Sequence, residues 1–169
     1  MDLDVKKYIP EDFSDDSRVW IYQANRLLNI NETLEANRIL EDFVNSWNTH
    51  GAQVKGFGKI LFGQFVVLIA DESQQFVSGC STDSSVRIVK ELENLFKINF
   101  FDRQSLAFYV NDKIECVRLS HVDYALKNNI LSPDTLYFNN TVLTKKALLS
   151  KWIIPIKESW LAQKLKIEI

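Results

Sequence analysis

Six consecutive apolar residues, Phe65-Val66-Val67-Leu68-Ile69-Ala70, constrain this chain more than any other feature. The run is far short of the ~18 residues that would cross a bilayer, and it is rich in the β-branched and aromatic types that favour strands. Just before it stand Lys59-Ile60-Leu61-Phe62 and then Gly63-Gln64. Together they read as two strands joined closely at Gly63-Gln64, or one long strand bent there, at the centre of a sheet.

The remaining segments supply partners for that sheet. Arg18 to Ala24 has strand composition. From Glu32 to Thr49, Ala36, Ile39, Leu40, Phe43, Val44 and Trp47 recur at helical spacing, with Asn29 or Asn31 as N-cap and Gly51 as stop. After the polar stretch Asp71 to Gln75, a short strand is expected at Phe76-Val77-Ser78, followed by a second helix opening at Gly79-Cys80-Ser81-Thr82-Asp83-Ser84-Ser85. Val86, Val89, Leu92 and Phe96 give that helix its apolar stripe.

Further along, Leu106, Phe108 and Val110 alternate before Asn111-Asp112-Lys113 and Ile114-Glu115-Cys116-Val117, which predicts a hairpin with a polar tip. Ser120 is the expected cap of a short helix reaching about Lys127. Thr135 to Phe138 suits a strand, and Thr144 opens a helix that must break or restart near Pro155.

Strand, helix, two strands, helix, strand is the ferredoxin-like βαββαβ order, in which two helices cover one sheet face. The expectation is therefore a single α+β domain over residues 1–169. It has an extended, acidic lead-in at 1–17, pinned by Tyr8, Ile9 and Phe13, and C-terminal helices over 143–169. Five glycines and three prolines leave little material for long linkers.

A net charge of −2 provides no basic field for phosphate neutralisation, which disfavours nucleic acid as a partner. The N-terminal residues lack the apolar core of a signal peptide, and Cys80 and Cys116 are too few and too far apart for a disulfide framework or zinc site. A cytoplasmic location with free thiols follows as an expectation.

The densest polar chemistry is Cys80, Ser81, Thr82, Asp83, Ser84 and Ser85 at the start of the second helix. Unpaired N–H groups and hydroxyls there suit a small anion, and the same position lowers the pKa of a cysteine; His50 and His121 are the only histidines to serve as its base. Simple capping by Ser81 or Thr82, with Cys80 packed as a small apolar residue, explains the same residues.

Other candidates have similarly plain readings. Asp71 and Glu72 suit an acid/base or metal pair or a solvated turn, and Asp102-Arg103 an anion contact or an ion pair. Tyr137-Phe138-Asn139-Asn140-Thr141 sets aromatic residues before amides that form specific contacts or fix their own turn. Six lysines in the last 27 residues make the C-terminal helices locally basic, as an acidic protein partner or a solvated face would require.

Phe62-Gly63-Gln64-Phe65, the stretch Ser78 to Ser85, Phe101-Asp102-Arg103 and Pro133 to Thr141 resemble a family of small bacterial proteins that often carry the name "ABC transporter ATPase". The resemblance runs from about Tyr8 to Leu161 and implies ATP binding and hydrolysis. A P-loop needs G-x-x-x-x-G-K-[ST], yet Gly58-Lys59 is followed by Ile60 with no glycine five before it; Leu68 to Glu72 resembles a Walker B strand alone. No catalytic residue or cofactor is carried over. The residues themselves point to a non-enzymatic binding or protein-interaction module, with a protein partner or a homo-oligomer as the expected assembly; the alternative is a small enzyme or nucleotide- or anion-responsive protein using Cys80 to Ser85.

Overall fold

The computed structural model describes residues 1–49, 52–71 and 79–166. It is an α+β protein, with a first sheet of β1 (Arg18–Gln23), β4 (Lys55–Leu61) and β5 (Phe65–Asp71) in the order β1-β5-β4, antiparallel throughout. Between β1 and β4 come helix α1 (Ile30–Ser46) and a small hairpin of β2 (Asn48–Thr49) and β3 (Ala52–Gln53). Helix α2 (Gly79–Phe96) leads into a second sheet formed by β6 (Ser105–Val110), β7 (Lys113–Arg118), β8 (Leu136–Phe138) and β9 (Ile153–Pro155), in the order β7-β6-β8-β9. The short helices α3 (Val122–Lys127), α4 (Lys145–Lys151) and α5 (Trp160–Leu165) complete the described chain.

The alternation along β5 explains how these pieces stack. Phe65, Val67 and Ile69 enter a core shared with Ala107, Ile114 and Phe138 of the second sheet, and with Val5, Ile9 and Phe13 of the lead-in. Val66 and Leu68 face the other way, into a core with Ala36 and Leu40 of α1 and Val89 and Leu92 of α2. The far face of the second sheet carries Leu106, Phe108 and Tyr137 beneath Val122 and Ala125 of α3 and Leu161 of α5. The result is four layers, helix, sheet, sheet, helix, so β5 is covered on both faces and needs no polar residue before Asp71.

The connections match local chemistry. Phe62 and Gly63 both adopt positive φ, +54° and +65°, and the Gln64 N–H donates to the Leu61 carbonyl at 3.1 Å, closing the β4–β5 turn at the position expected from sequence. Phe62 accepts a conformation that disfavours side chains because its ring packs on Tyr8, Phe65, Phe138 and Trp152, with the Trp152 centroid 5.6 Å away. Asn111 and Asp112 make the two-residue β6–β7 turn, again with φ positive at two successive residues. Helix α1 has a capping box in which Asn29 Oδ1 accepts the Glu32 N–H and Glu32 accepts the Asn29 N–H. A Cβ at Gly56 would meet Trp47 Cε3 at 2.9 Å, so glycine there lets the end of α1 lie against β4.

Several expectations need correcting. The strand after α2 does not lie beside β1 as a ferredoxin-like sheet requires; β6 pairs with β7 and β8. The outer edge of β1 meets the Leu143–Thr144 segment instead, through Val19 N–H to the Leu143 carbonyl at 3.0 Å and an Arg18–Thr144 bridge. Residues 143–169 are not helical throughout, because Ile153–Pro155 forms β9, paired to β8 at the sheet edge where proline is tolerated. Helix α1 stops at Ser46, with Trp47 turned into the core. Ser120 does not cap α3, whose N-cap residue His121 makes no side-chain capping bond. The expected strand Phe76-Val77-Ser78 lies outside the described residues.

The lead-in is held as well as packed. Lys145 is buried, and its Nζ donates to the carbonyls of Glu11 at 2.9 Å and Phe13 at 2.6 Å. No described helix is long and apolar enough to cross a membrane.

Candidate functional site: a cavity at the free edge of β1

Strand β1 divides its side chains between layers. Trp20 and Tyr22 turn toward the helices, whereas Val19 and Ile21 join the core between the sheets. Gln23 shares the parity of Val19 and Ile21, so it carries an amide into that inter-sheet space, and it is buried there. On the backbone, residues of this parity point away from β5, as Val19 does toward Leu143. The N–H and C=O of Ile21 lie on the same outer edge and meet no backbone partner among the described residues.

A cavity of about 380 Å³ opens at that edge, lined by Ile21, Tyr22 and Gln23 from β1 and by Phe100 to Arg103, Ser105 and Leu106 from the approach to β6. Its other wall is Tyr137, Asn140, Thr141, Leu143 and Trp160. Two segments singled out in the sequence, Phe101-Asp102-Arg103 and Tyr137 to Thr141, thus come together here although more than thirty positions separate them.

The amides behind the cavity are fixed by one unambiguous donor. The Trp152 indole N–H can only donate, so the Asn140 atom 2.9 Å away is its carbonyl oxygen. Asn140 Nδ2 then donates to Gln23 Oε1 at 3.0 Å, which directs Gln23 Nε2 to the Ser105 carbonyl at 3.1 Å. Gln64 Nε2 donates to the Ala24 carbonyl and, at 3.1 Å, to the Cys116 sulfur, and the buried Gln64 Oε1 has no partner among the described residues. This strip is the polar end of an otherwise apolar seam between the sheets.

The rim is differently occupied. Asp102 Oδ1 accepts the Gln104 N–H at 3.0 Å, and Oδ2 lies 3.6 Å from Arg118 Nη2. Arg103 is exposed and makes no side-chain hydrogen bond or ion pair among the described residues. Trp160 Nε1 donates to the Tyr137 hydroxyl at 3.2 Å, and Tyr137, only 2% exposed, has no acceptor for its own proton among the described residues. Burial pushes the Tyr137 phenol up from its usual pKa, so it stays a neutral donor.

The residues expected at the start of α2 lie differently. The side chains of Cys80 and Ser81 are outside the described residues. Asp83 is exposed, and Thr82 and Ser84 are half-buried. Ser85 is fully buried and gives its proton to the Thr82 carbonyl at 2.7 Å, so the Tyr22 hydroxyl, 2.9 Å away, donates to Ser85. The helix start is therefore joined to the cavity wall through Tyr22, whose ring also meets Phe101 edge-on at 5.4 Å.

Asp71 is buried, accepting the Ser14 N–H at 3.2 Å with Lys55 Nζ at 3.6 Å, a structural tie to the lead-in. Cys116 is a free thiol whose pKa is raised by desolvation of its sulfur, and it does not line the cavity. No group of three His, Cys, Asp or Glu able to hold a metal occurs among the described residues. Sequence reasoning missed Ile21, Tyr22 and Gln23; the one available signal was a glutamine at the position where the Val19–Ile21 alternation calls for an apolar residue.

Comparison with family models, curated proteins and solved structures yields no match.

Proposed function

We propose that this protein is a non-enzymatic binding module whose ligand seat is the cavity at the edge of β1. The cavity itself carries the reading: its volume falls within the ~300–1,000 Å³ of small-molecule sites, its walls are largely aromatic and aliphatic, and Gln23, Asp102 and Asn140 among its polar groups are held in place by hydrogen-bond partners. A wall of preset amides and hydroxyls suits recognition, because the groups need no reordering when the ligand arrives. The free Cys116 thiol accords with a reducing, cytoplasmic setting.

A second reading, an anion-responsive site over Cys80 to Ser85, draws support from the Tyr22–Ser85 hydrogen bond, through which an occupied helix start would reach the cavity wall. On the same footing, the first sheet with α1 and α2 is read as a ferredoxin-like unit whose fourth-strand position is not filled by β6, and the family named for ABC transporter ATPases is the proposed affiliation.

The test is an NMR fragment screen on the ¹⁵N-labelled protein. We expect shifts confined to the amides of Ile21 to Gln23, Phe101 to Ser105 and Asn140 to Leu143, abolished by Thr141→Trp, which places a bulky ring at the rim. Fragments that bind elsewhere, or none binding at millimolar concentration, would remove the basis for this assignment.

A further inference from the structure

Hydrogen-bonding capacity around the cavity is lopsided. Gln23 Oε1 is taken by Asn140, Asn140 Oδ1 by Trp152, and the Ser105 carbonyl by Gln23. Asp102 is engaged by the Gln104 N–H and faces Arg118. On the donor side, the Tyr137 proton, the second N–H of Asn140, the Ile21 N–H and the whole Arg103 guanidinium have no acceptor among the described residues. On the acceptor side, the Ile21 carbonyl faces outward with those of Val19 and Gln23, and none of the three meets a backbone donor among the described residues.

Such a surplus has a physical meaning. A buried donor without an acceptor is costly, and Tyr137 is almost wholly buried, so the site gains most from a ligand that brings lone pairs. A carboxylate brings two oxygens with about four acceptor positions and matches a guanidinium fork. Around these donors the walls are Tyr22, Phe101, Leu106, Leu143 and Trp160, which receive a flat apolar body. Arg103 lines the same cavity as Tyr22 and Phe101, which places the cation on the side of the aromatic wall.

We infer that the cavity selects an organic carboxylate carried on a flat apolar body, with Arg103 at the rim and Tyr137 in the wall as the groups that recognise the carboxylate. This inference rests on the cavity being the ligand seat, and its test separates the two ideas. Calorimetric titration would use indole-3-acetate, indole-3-acetamide and indole as probes against the parent, Arg103→Gln and Tyr137→Phe.

The expected result is that the acid binds about tenfold more tightly than the amide, the scale of one hydrogen bond to a charged group. Arg103→Gln should erase that preference while leaving the affinity for indole unchanged, and Tyr137→Phe should weaken the acid several-fold. Arg103 is exposed, so its variant is expected to keep the parent's melting temperature. Equal binding of acid and amide, or an acid preference that survives both substitutions, overturns the carboxylate inference while the cavity remains a ligand seat. Binding of none of the three overturns the inference and counts against the seat as well.

Discussion

Strands β5 and β7 are nearly the same length, yet β5 buries all seven of its residues while β7 buries only Ile114 and exposes Lys113, Glu115, Cys116 and Arg118. β5 is the middle strand of the first sheet, with α1 and α2 on one face and the second sheet and lead-in on the other. β7 is an edge strand that contributes to the inter-sheet core from one end. The difference teaches where this protein can carry polar function: β5 is saturated, and polar side chains are accommodated on edge strands such as β7 and β1, whose burial is incomplete.

Core truncation should expose that contrast most sharply. Phe65 is fully buried, stacked on Phe138 at 4.7 Å and edge-on to Trp152 at 5.3 Å, so Phe65→Ala is expected to cost about 3–5 kcal/mol. Ile114, on the edge strand, should lose only about 2 kcal/mol as Ile114→Ala, since its surroundings relax more easily. Urea unfolding of both variants measures the gap; equal costs would break the comparison.

The border between the sheets gives the next effect. Asn140→Ala strands the Trp152 indole N–H and the Gln23 carboxamide oxygen together, for an expected loss of about 1–3 kcal/mol. A double-mutant cycle with Trp152→Phe should show coupling, because the second change removes the stranded donor. Strict additivity would mean that the chain of amides does not act as a unit.

The smallest effect lies in the outer helix layers. Glu32, hydrogen-bonded by Arg26 at 2.8 Å and by the Asn29 N–H, is held at a pKa of about 2, whereas α3 has no side-chain cap. A carboxylate depressed in the folded state stabilises it fully above its ordinary value of 4.5, and that contribution is lost as pH falls toward 2. An NMR titration should place the Glu32 midpoint near 2, with faster amide exchange in the first turn of α1 below pH 4 and no such acid step in Glu32→Gln. A midpoint near 4.5 would show that the cap and ion pair do not hold the carboxylate.

Much of the first sheet was legible because its signals are local. The apolar run over β5, the turn at Gly63 and Gln64 and the Asn29 cap each follow from neighbours in sequence, as does the Asn111–Asp112 turn of the second sheet. What escaped was decided by distant partners. Ile153-Ile154-Pro155 is too short for a strand pattern of its own and becomes one through Leu136 to Phe138. The edge of β1 likewise takes Leu143, and not β6, for reasons set by the packing of the second sheet. The cavity was hardest to foresee, since its walls come from four separated segments and only Gln23 breaks a pattern.

The two hydrogen bonds that Lys145 makes to the lead-in join residues 134 and 132 positions apart. During synthesis the first thirteen residues emerge early, and the ammonium group that seats them arrives on the order of ten seconds later at ordinary elongation rates. Over that interval Val5, Ile9 and Phe13 have no finished surface to cover, so the beginning of this chain is among the last parts to find its place.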